Sequence, residues 1–586
     1  MKHYISRKMF LHTLRPCLIA AVMLSVSDIA DALVIGNNMG RNGLAVIGII
    51  TPLYLFMNFG GYTFSTGGCV THSRMTAEGR DTDALSHFKT IVLVLAVISA
   101  MLAVAANLFL GSVLNVLGAD DGGPELYRLC EEYARPLVTA IPLFVFNYLL
   151  YDFVRCDNDA SLATFGFSAG CILDLALNIW FVIGLGWGMR GLIHATIIAQ
   201  GVSVVILTTH LFNKRGILNL KQLIPAKLCP VKTVRRSLRI GLSSSVRFIF
   251  QLLFLLLGNR LLLRAGRMGL VDGELYVAVF DLVMNVSYVL YGVYQAFSDT
   301  MQPLASTYSA EHDRGNIRYL ILIAVGSGLA LGILCAAAAS VFAKPISAFV
   351  GLRDADELAV SVRAIRLFCL STPVAGVLII LTGFFQSTGH ARLSGLVTIL
   401  RTAVYLLPVT LIAGLLFPER FWALFLISES STLVTMLIMS RFPAFRKNDA
   451  HIPVYSASMD NNNHELQRVL DGATDFCLKQ QVPEKETALA RLAIEELCMI
   501  TIEKAFTGKQ DEYIQLTLVK ETSGDLVLHI RNSAPLFNPL DLRMEKICRE
   551  AEDELMESIG VMMVRQKVRS LRFRHFQGFN MMTAVI

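Results

Sequence analysis

The sequence predicts an all-α polytopic membrane protein with twelve transmembrane helices in two six-helix bundles, followed by a C-terminal cytosolic α+β sandwich domain. Hydrophobic residues make up 54% of the chain and charged residues only 17%, below the quarter that is usual in soluble domains. The segment 91–110 has twenty residues without a charge, and a helix of that length crosses a hydrocarbon core of about 30 Å. About 135 more polar residues follow the last apolar segment.

Apolar segments of this kind recur along the chain up to residue 440, and each is long enough to span a membrane. The predicted spans are 16–36, 44–70, 91–111, 134–154, 163–183, 192–212, 240–262, 276–298, 319–341, 367–386, 393–413 and 421–440. The cysteines are scattered without metal-binding spacing, so we expect small apolar fillers in a reducing compartment and no metal site.

The loops between these spans predict the orientation, because membrane proteins concentrate Lys and Arg on the cytoplasmic side. With the N-terminus inside, the inner segments carry most of the basic residues. The connection between the sixth and seventh spans alone supplies Lys214, Arg215, Lys221, Lys227, Lys232, Arg235, Arg236 and Arg239. The net charge of +6 therefore needs no nucleic-acid partner. We expect a multi-pass protein of the bacterial inner (plasma) membrane, with both termini in the cytoplasm.

Matching polar loops relate the two halves of the membrane region. RMTAEGRDTDA (74–84) ends the second span, and STYSAEHDRGN (306–316) ends the eighth about 232 residues later. FVRCDNDASLA (153–163) and FFQSTGHARLS (384–394) repeat this offset at the fourth and tenth spans. A constant offset indicates a duplicated six-helix unit over 1–231 and 232–445, which is typical of secondary transporters that rock around a central cavity. A channel is less favoured, since no filter-like repeated loop is found.

Four segments of the membrane region resemble those of a known family. DALVIGNNMGRNGLAVIGIITPL (31–53) and WGMRGLIHATIIAQ (187–200) resemble signature elements of the multidrug and toxic-compound extrusion (MATE) transporters. QPLASTYSAEHDRGN (302–316) and FFQSTGHARLSGLVTILR (384–401) resemble their counterparts in the second half. The resemblance covers about 430 residues. It implies a two-bundle fold that exports cationic, amphipathic compounds in exchange for Na⁺ or H⁺.

Ionisable residues inside a bilayer are costly, so each is a functional candidate. Asp174 and Asn178 of the fifth span are four residues apart and therefore share a helix face. The resemblance implies an Asn and Asp pair here, which this chain carries in reversed order. A carboxylate at this depth is suited to hold a proton or Na⁺, with Asn178 as a neutral oxygen ligand; a structural hydrogen bond is the alternative. Asp31, which matches the family's Asp, and Asp28 are further candidates, although Asp31 also suits a capping role.

Other polar residues of the spans are candidates for lining a substrate cavity. Asn147 and Tyr148 of the fourth span could line a cavity for a cationic ring compound, with helix packing as the alternative. Asp281 and Asn285 of the eighth span repeat the Asp and Asn spacing. Arg260 requires a carboxylate partner, so Asp281 is either an ion ligand or the partner of Arg260.

The tail after residue 445 divides into a polar linker, 446–464, and a mixed α/β segment, 465–586. ARLAIEELCMITIEKAF (490–506) resembles the helix of histidine-kinase-like ATPases on which a Glu precedes a Mg²⁺-binding Asn. IRNSAPLFNPL (530–540) resembles their strand and lid entry, and 558–586 resembles the closing helix and strand of the anti-sigma-factor branch. The resemblance therefore implies a nucleotide-binding fold in the tail.

The positions that would carry nucleotide chemistry depart from that family's pattern. Ile500 stands where Asn would bind Mg²⁺, and an Ile side chain offers no oxygen ligand. The position of the adenine-binding Asp is Asn532, and Ser558 replaces the first Gly of the phosphate-side helix. Residues that could still serve a nucleotide are Glu495, Glu496, Asn532 and Gly560. We expect a degenerate domain without ATPase activity that regulates the transporter or binds a protein.

Together these features predict a secondary active transporter: a Na⁺- or H⁺-coupled antiporter that exports cationic amphipathic drugs or toxins and has no cofactor. Its expected partners are the lipid bilayer, small cationic organic substrates and a cytosolic protein that contacts the C-terminal domain. The alternative is a membrane-anchored sensor whose bundle detects a small ligand and whose tail sequesters a cytosolic regulator. A flippase for lipids or polymer precursors is the third possibility.

Overall fold

The computed structural model describes residues 3–117, 119, 123–212, 216–350, 352, 354–439, 441, 452–460, 463–506, 512–541 and 552–586. For a few helical positions, among them Asp28 and Ser558, it describes the backbone alone. The first half of the membrane region consists of α1 (Tyr4–Ala77), α2 (Asp81–Leu108), α3 (Leu110–Val116), α4 (Gly123–Thr139), α5 (Ile141–Cys156), α6 (Ala160–Asn178) and α7 (Gly188–Thr208). We call this half the N-lobe.

A short helix, α8 (Leu220–Leu223), connects the N-lobe to the second half, which we call the C-lobe. The C-lobe consists of α9 (Val231–Ser245), α10 (Arg247–Arg267), α11 (Gly273–Ala310), α12 (Arg314–Val341), α13 (Ala343–Phe349), α14 (Ala355–Ser387), α15 (Ala391–Ile399), α16 (Leu407–Leu416) and α17 (Leu424–Met439). π-Helical turns at Ile179–Gly184 and Leu400–Leu406 follow α6 and α15.

The described part of the chain contains eleven helical segments that are long and apolar enough to cross a membrane. The count becomes twelve when α4 and α5, bent by 53° at Ala140, are taken as one broken span. The bend falls between Pro136 and Pro142, and proline removes a backbone donor and clashes with the preceding turn. α1 carries two of the segments, Tyr4–Ser27 and Ala45–Ala77. The predicted polytopic architecture of eleven to twelve spans is thus present.

The C-terminal domain is a five-stranded antiparallel sheet covered on one face by helices. Its strands are β1 (Val454–Asp460), β2 (Tyr513–Lys520), β3 (Leu526–Asn532), β4 (Ser570–Phe576) and β5 (Phe579–Val585), in the spatial order β1-β2-β3-β5-β4. Its helices are α18 (Asn463–Lys479), α19 (Glu484–Ile500) and α20 (Glu552–Lys567). Alternate strand residues such as Leu516, Leu518, Leu528 and Ile530 form one apolar core with the helices, as the period of two along a strand requires.

Two features of this domain differ from the sequence expectation. The segment predicted as linker, 446–464, contains β1, which pairs with β2 from Val454 to Asp460; residues 442–451 lie outside the described residues. The end of the chain forms a hairpin of two strands, where one final strand was expected.

The face of the sheet away from its helices packs against one end of the membrane bundle, which we call the docking end. Arg531 of β3 forms an ion pair with Glu311, and both side chains are buried. Thr517 of β2 donates a hydrogen bond to Asp313 at 3.1 Å, and Arg531 lies over the ring of Tyr308 at 4.6 Å. An ion pair buried this deeply requires good mutual geometry to offset its desolvation, so the two surfaces fit each other specifically.

Asp157 organises the neighbouring part of the docking end. Its carboxylate accepts hydrogen bonds from the backbone N–H groups of Ile217 and Leu218, at 3.1 and 2.8 Å, and pairs with His72 and His210. Burial alone would raise the pKa of Asp157, but the hydrogen bonds from the two histidines hold it below its usual value. A charged Asp157 therefore fixes the start of the connection between the lobes.

Two of the cysteines differ from the expectation of free apolar fillers. Cys69 of α1 and Cys156 at the end of α5 form a disulfide, with their Cα atoms 6.1 Å apart. Both lie in the interior of the N-lobe, where these two helices cross. No spacing in the sequence identifies this pair, because the residues are 87 positions apart.

Candidate ion and substrate site

The structure brings three of the predicted site residues together in the N-lobe. Asp174 and Asn178 lie one turn apart on α6, with 8% and 0% of their surface exposed. Asn178 Nδ2 donates a hydrogen bond to Asp31 Oδ1 at 2.8 Å, and Thr196 of α7 lies within hydrogen-bonding reach of Asp174. Within the described part of the chain, Asp174 Oδ1 and Asn178 Oδ1 accept no hydrogen bond. Two carboxylates and two unsatisfied buried oxygens thus converge where a small cation would be favourable. The side chain of Asp28 lies outside the described residues.

Two tyrosines complete this cluster and were not singled out from the sequence. The hydroxyl groups of Tyr54 on α1 and Tyr133 on α4 lie 2.8 Å apart. Both phenols lie close enough to Asp31 and Asp174 to interact electrostatically with their carboxylates. A tyrosine within an apolar run is a weak signal, because its ring packs as readily as any other aromatic residue.

Asn147 and Tyr148 of α5 have different surroundings. The side-chain amide of Asn147 donates to Gln200 and accepts a hydrogen bond from Ser203 at 3.2 Å, both on α7. These hydrogen bonds join α5 to α7, as the packing alternative expects, and cavity lining by Asn147 stays a prediction. The ring of Tyr148 packs against Tyr62 with centroids 5.2 Å apart.

Asp281 and Asn285 lie on a stripe of α11 that faces the N-lobe. Eighteen residues make five helical turns, so Asp281 shares its helix face with Asp299. Asp299 forms an ion pair across the seam with Arg155 of the N-lobe, whereas Asp281 and Asn285 are exposed. The ion pairs of the described residues do not join Asp281 to Arg260. Among the described residues, the lobes are therefore joined by an ion pair at the docking end, at Asp299, and not at Asp281.

Arg155 at the end of α5 closes the seam between the lobes. Its guanidinium lies 2.9 Å from Asp152 Oδ1 in the same helix and 3.2 Å from Asp299 Oδ2 in α11. Gln295 donates to Asp299 at 2.8 Å and accepts from Arg247 at 3.1 Å, which extends the network along the seam. Arg155 is not among the site residues that the sequence predicted. Its spacing of three residues from Asp152 is the signal that could have identified the pair.

Close approach of two helices makes the same seam tight. A Cβ atom added at Gly67 of α1 would overlap the backbone of Ser237 in α9, and one at Gly241 would overlap the backbone of Thr63. Thr63 and Ser245 bring their hydroxyl groups to 2.5 Å. Small residues allow helix backbones to approach closely inside a membrane, so the lobes are in direct contact here.

The C-lobe holds a buried ion pair of its own. Arg401, in the π-helical turn after α15, binds both carboxylate oxygens of Glu429 on α17, with nitrogen to oxygen distances of 2.7 to 2.8 Å. Its guanidinium lies 5.1 Å from the ring centre of Tyr291. The charge of Glu429 is compensated within the lobe, unlike that of Asp174.

Three of the residues that could serve a nucleotide, Glu496, Asn532 and Gly560, make contacts within the domain. The Glu496 carboxylate packs against Gly560, so that a Cβ there would overlap it. Burial and the neighbouring acids Glu495 and Glu503 raise the pKa of Glu496. Asn532 Oδ1 accepts hydrogen bonds from Asn580 Nδ2 at 3.0 Å and from a backbone N–H at 3.2 Å.

The Mg²⁺ position does not fit the ion. Ile500 is 2% exposed and belongs to the apolar core between the sheet and its helices. Mg²⁺ requires oxygen ligands in near-octahedral geometry. Glu495 is exposed at the surface of α19. Residues 542–551, which follow the predicted lid entry, lie outside the described residues.

Comparison with known proteins identifies the class of this chain. The sequence profile of the MatE family matches residues 16–180 and 247–412, more than half of the chain, so the protein belongs to the MATE family of membrane transporters. The profile of the histidine kinase-like ATPase domain matches residues 459–586. The resemblance found from the sequence motifs is thereby confirmed for both parts.

Individual relatives are distant but extend over nearly the whole membrane region. The chain is 20% identical over 443 residues to the multidrug export protein MepA of Staphylococcus aureus, which covers 74% of this chain and 93% of the relative. MepA of Staphylococcus saprophyticus is 20% identical over 439 residues, with the same two coverages.

Two solved structures share the fold. An outward-facing multidrug resistance MATE transporter matches with a TM-score of 0.68 and 20% identity, over 74% of this chain and 95% of that one. A transporter from Pyrococcus furiosus, described as having a binding pocket of reversed polarity, matches with a TM-score of 0.65 and 18% identity, over the same shares. These matches confirm the predicted fold of the membrane region.

Proposed function

We propose that this protein is a cation-coupled antiporter that exports cationic, amphipathic compounds. The observation that carries the proposal is the N-lobe cluster, in which Asp174 and Asn178 each direct an unsatisfied oxygen into a buried site beside Asp31. A buried carboxylate without a compensating charge favours binding of a proton or of Na⁺. The names of the MepA relatives, which are multidrug export proteins, support export as the direction of transport.

The closed seam at the docking end supports an outward-open state. Arg155 and Asp299 form an ion pair across the seam there, whereas Asp281 and Asn285, on the same face of α11, are exposed. We infer that the docking end is cytoplasmic, as the distribution of Lys and Arg predicts. In this arrangement the coupling ion enters from outside and reaches Asp174 while the cytoplasmic seam is shut.

Coupling then follows from competition for the same charge. A cationic substrate and the coupling cation are both attracted to Asp174 and Asp31, so binding of one lowers the affinity for the other. Linkage requires this effect to be reciprocal. Entry of the ion from outside therefore releases the substrate outside, and entry of the substrate from the cytoplasm releases the ion inside.

The tail is proposed to act without ATP hydrolysis. The structure offers no oxygen ligand at position 500, and a carboxylate, Glu496, packs against the glycine that would approach a phosphate. A histidine kinase-like fold without these groups is suited to bind a surface. In this protein its sheet face is already bound to the transporter. A cytosolic protein partner, if present, would contact the helical face.

The proposed coupling is tested in inside-out membrane vesicles loaded with an outward-favouring Na⁺ or proton gradient and no ATP. A fluorescent lipophilic cation should accumulate in vesicles that contain the native chain, and Asp174→Asn should abolish gradient-driven uptake. Asp475→Asn on the exposed surface of α18 is the matched control and should transport normally. Uptake that survives Asp174→Asn would remove this residue from the coupling site, and no uptake by the native chain would defeat the antiporter proposal.

A further inference from the structure

The hairpin formed by β4 and β5 reaches the seam between the two lobes at the docking end. Three of its side chains are buried in one apolar core with residues of both α1 and α11. They are Phe576, Phe579 and Met581, and they pack in the cluster that contains Met9 and Phe10 of the N-lobe and Phe297 and Tyr308 of the C-lobe. The hairpin therefore completes an apolar core that both lobes share. This contact is additional to those that β2 and β3 make with the docking end.

Gln577 at the tip of the hairpin makes polar contacts with the N-lobe. Its Nε2 donates a hydrogen bond to the backbone carbonyl of Arg155 at 3.1 Å, and its Oε1 accepts one from Thr13 at 3.2 Å. Its backbone N–H donates to Asn158 Oδ1. Its side chain is buried, with 2% of the residue exposed.

The backbone of Gln577 is in a conformation that glutamine seldom adopts. Its φ angle is 51°, and a non-glycine residue in this region costs on the order of 1 kcal/mol. Such a conformation persists only where surrounding contacts over-determine it. The contacts of Gln577 with Arg155, Thr13 and Asn158 hold its backbone in this conformation.

Gln577 thus holds the main chain of the residue whose side chain closes the seam. The guanidinium of Arg155 bridges Asp152 in the N-lobe and Asp299 in the C-lobe. The same domain is attached to the C-lobe through the Arg531 and Glu311 ion pair. Separation of the lobes at the docking end cannot preserve both attachments, because one is fixed to each lobe.

We propose that the C-terminal domain is a clasp on the transport cycle and that Gln577 is a positioning residue for the gate formed by Arg155 and Asp299. The docked hairpin stabilises the state that is closed at the docking end, and it must release the N-lobe before that end opens. The proposal deepens the proposed antiport function, since it names the device that regulates access to the same cleft. It assigns to the histidine kinase-like domain a mechanical role that needs no nucleotide.

Cys17 provides a native reporter of opening at the seam. It lies on α1, is 4% exposed, and has Arg155 and Thr300 beside it. A bulky, charged maleimide reaches this thiol only when the lobes part at the docking end. The rate of Cys17 alkylation, measured by mass spectrometry of its peptide, is therefore proportional to the population of the open state. The purified full chain in lipid nanodiscs gives the reagent access to both faces.

Two variants remove the hairpin contact from opposite sides. Gln577→Ala removes the side-chain contacts to Arg155 and Thr13, and Asn158→Ala removes the acceptor on the transporter. Each should accelerate alkylation of Cys17 roughly tenfold, as expected from the loss of one to two buried hydrogen bonds. Gln467→Ala, the same change on the exposed surface of α18, is the control and should label at the native rate.

The outcomes separate the clasp from a loss of folding and from a failure of the antiporter proposal. Native labelling rates in both variants would overturn the clasp, and so would equal acceleration by Gln467→Ala. Hydrogen exchange of the β2 and β3 amides is followed in the same samples. Acceleration that occurs only with loss of protection in these strands would mean that the domain has unfolded, and would overturn the positioning role. Absence of gradient-driven uptake by the native chain would defeat the antiporter proposal. The labelling rates would still test the clasp, because they do not depend on transport.

Discussion

At the scale of single residues, the acids of the membrane region differ in whether their charge is already compensated. Glu429 is paired with Arg401, and Asp152 and Asp299 share Arg155. Asp174 and Asp31 meet amide and hydroxyl groups, and no arginine or lysine pairs with Asp174 in the described part of the chain. Asp174 is therefore the carboxylate suited to a mobile cation, because a fixed cation would compete with it.

The compensated pairs predict large losses of stability when one partner is removed. Arg401→Gln should destabilise the protein by about 3–5 kcal/mol, because it leaves the Glu429 carboxylate buried without its partner. Arg135→Gln is the matched control: its pair with Glu131 is exposed on both sides, and loss of such a pair costs about 0–1 kcal/mol. Thermal unfolding in detergent measures both. Equal shifts of the melting temperature in the two variants would show that burial of the Arg401 pair does not increase the stability lost when one partner is removed.

His529 of β3 predicts a pH dependence of the docked domain. Burial and the neighbouring His312 lower its pKa to about 4, and Nδ1 is engaged by Thr583 at 3.1 Å. Glu311, 3.8 Å away, is the nearby acid and is already paired with Arg531. An unfolded histidine titrates near pH 6.5, so the unfolded state binds more protons between about pH 6.5 and 4.

The sign of that effect follows from linkage: the contribution of His529 is fully present above about pH 6.5 and is lost as pH falls towards 4. At pH 5 the loss should be about 2 kcal/mol. Hydrogen exchange of the β2 and β3 amides at pH 7.5 and 5, corrected for intrinsic rates, gives the opening free energy. His529→Asn should flatten this dependence. An unchanged pH slope in the variant would assign the effect to other groups.

At the scale of elements, the tail has the histidine kinase-like domain, but residues at its predicted nucleotide positions differ from the family pattern. α19 directs Ile500 into the core, where the family resemblance implied an oxygen ligand for Mg²⁺. Asn532 is held by Asn580 of the neighbouring strand. Both residues therefore belong to the interior of the domain.

This arrangement predicts that the purified chain does not hydrolyse ATP. In the presence of Mg²⁺, phosphate release should stay at the rate of a sample without protein. Glu496→Gln, which removes a carboxylate that could polarise water, should leave that rate unchanged. Phosphate release by the native chain that Glu496→Gln abolishes would show that the domain is an active ATPase, and the proposal for the tail would fall.

At the scale of the whole molecule, the tail and the membrane region form one structure joined by buried polar contacts. Arg531 and Glu311 are each at most 2% exposed, so neither charge is tolerable in the docked state without the other. Glu311→Gln should weaken docking by about 3–5 kcal/mol, because Arg531 is then buried without its partner. Hydrogen exchange at the amides of β3 and at the start of α12 detects the undocking.

A second variant tests whether the charge pair, rather than either side chain alone, controls docking. The double variant Glu311→Gln with Arg531→Gln should recover most of the loss, since a neutral pair is far cheaper to bury than one unpaired charge. The double-mutant cycle gives the coupling free energy between the two residues. Additive effects of the two substitutions would show that the pair does not connect the domain to the C-lobe.

The sequence by itself determined the membrane architecture and the family of both parts. The length of the apolar segments, the bias of Lys and Arg and the ordered motifs are local properties of the sequence. They can be recognised without knowing which elements pack together. The spacing of Asp174 and Asn178 likewise places both on one helix face. Local patterns of this kind predicted the spans, the C-terminal fold and part of the candidate site.

Only the tertiary structure decided which residues meet across long separations. Asp31 with Asn178, Tyr54 with Tyr133 and Arg155 with Asp299 are 79 to 147 positions apart, and Gln577 meets Arg155 after 422. A single sequence carries no periodic signal for such contacts, because they depend on how separate elements pack. The same limit explains why the sequence left both cavity lining and helix packing open for Asn147, whose hydrogen bonds to α7 appear only in the structure. It also explains why the contact between the sheet and the membrane region could not be predicted. The face of the sheet away from its helices carries polar residues, which in the sequence indicate exposure to solvent.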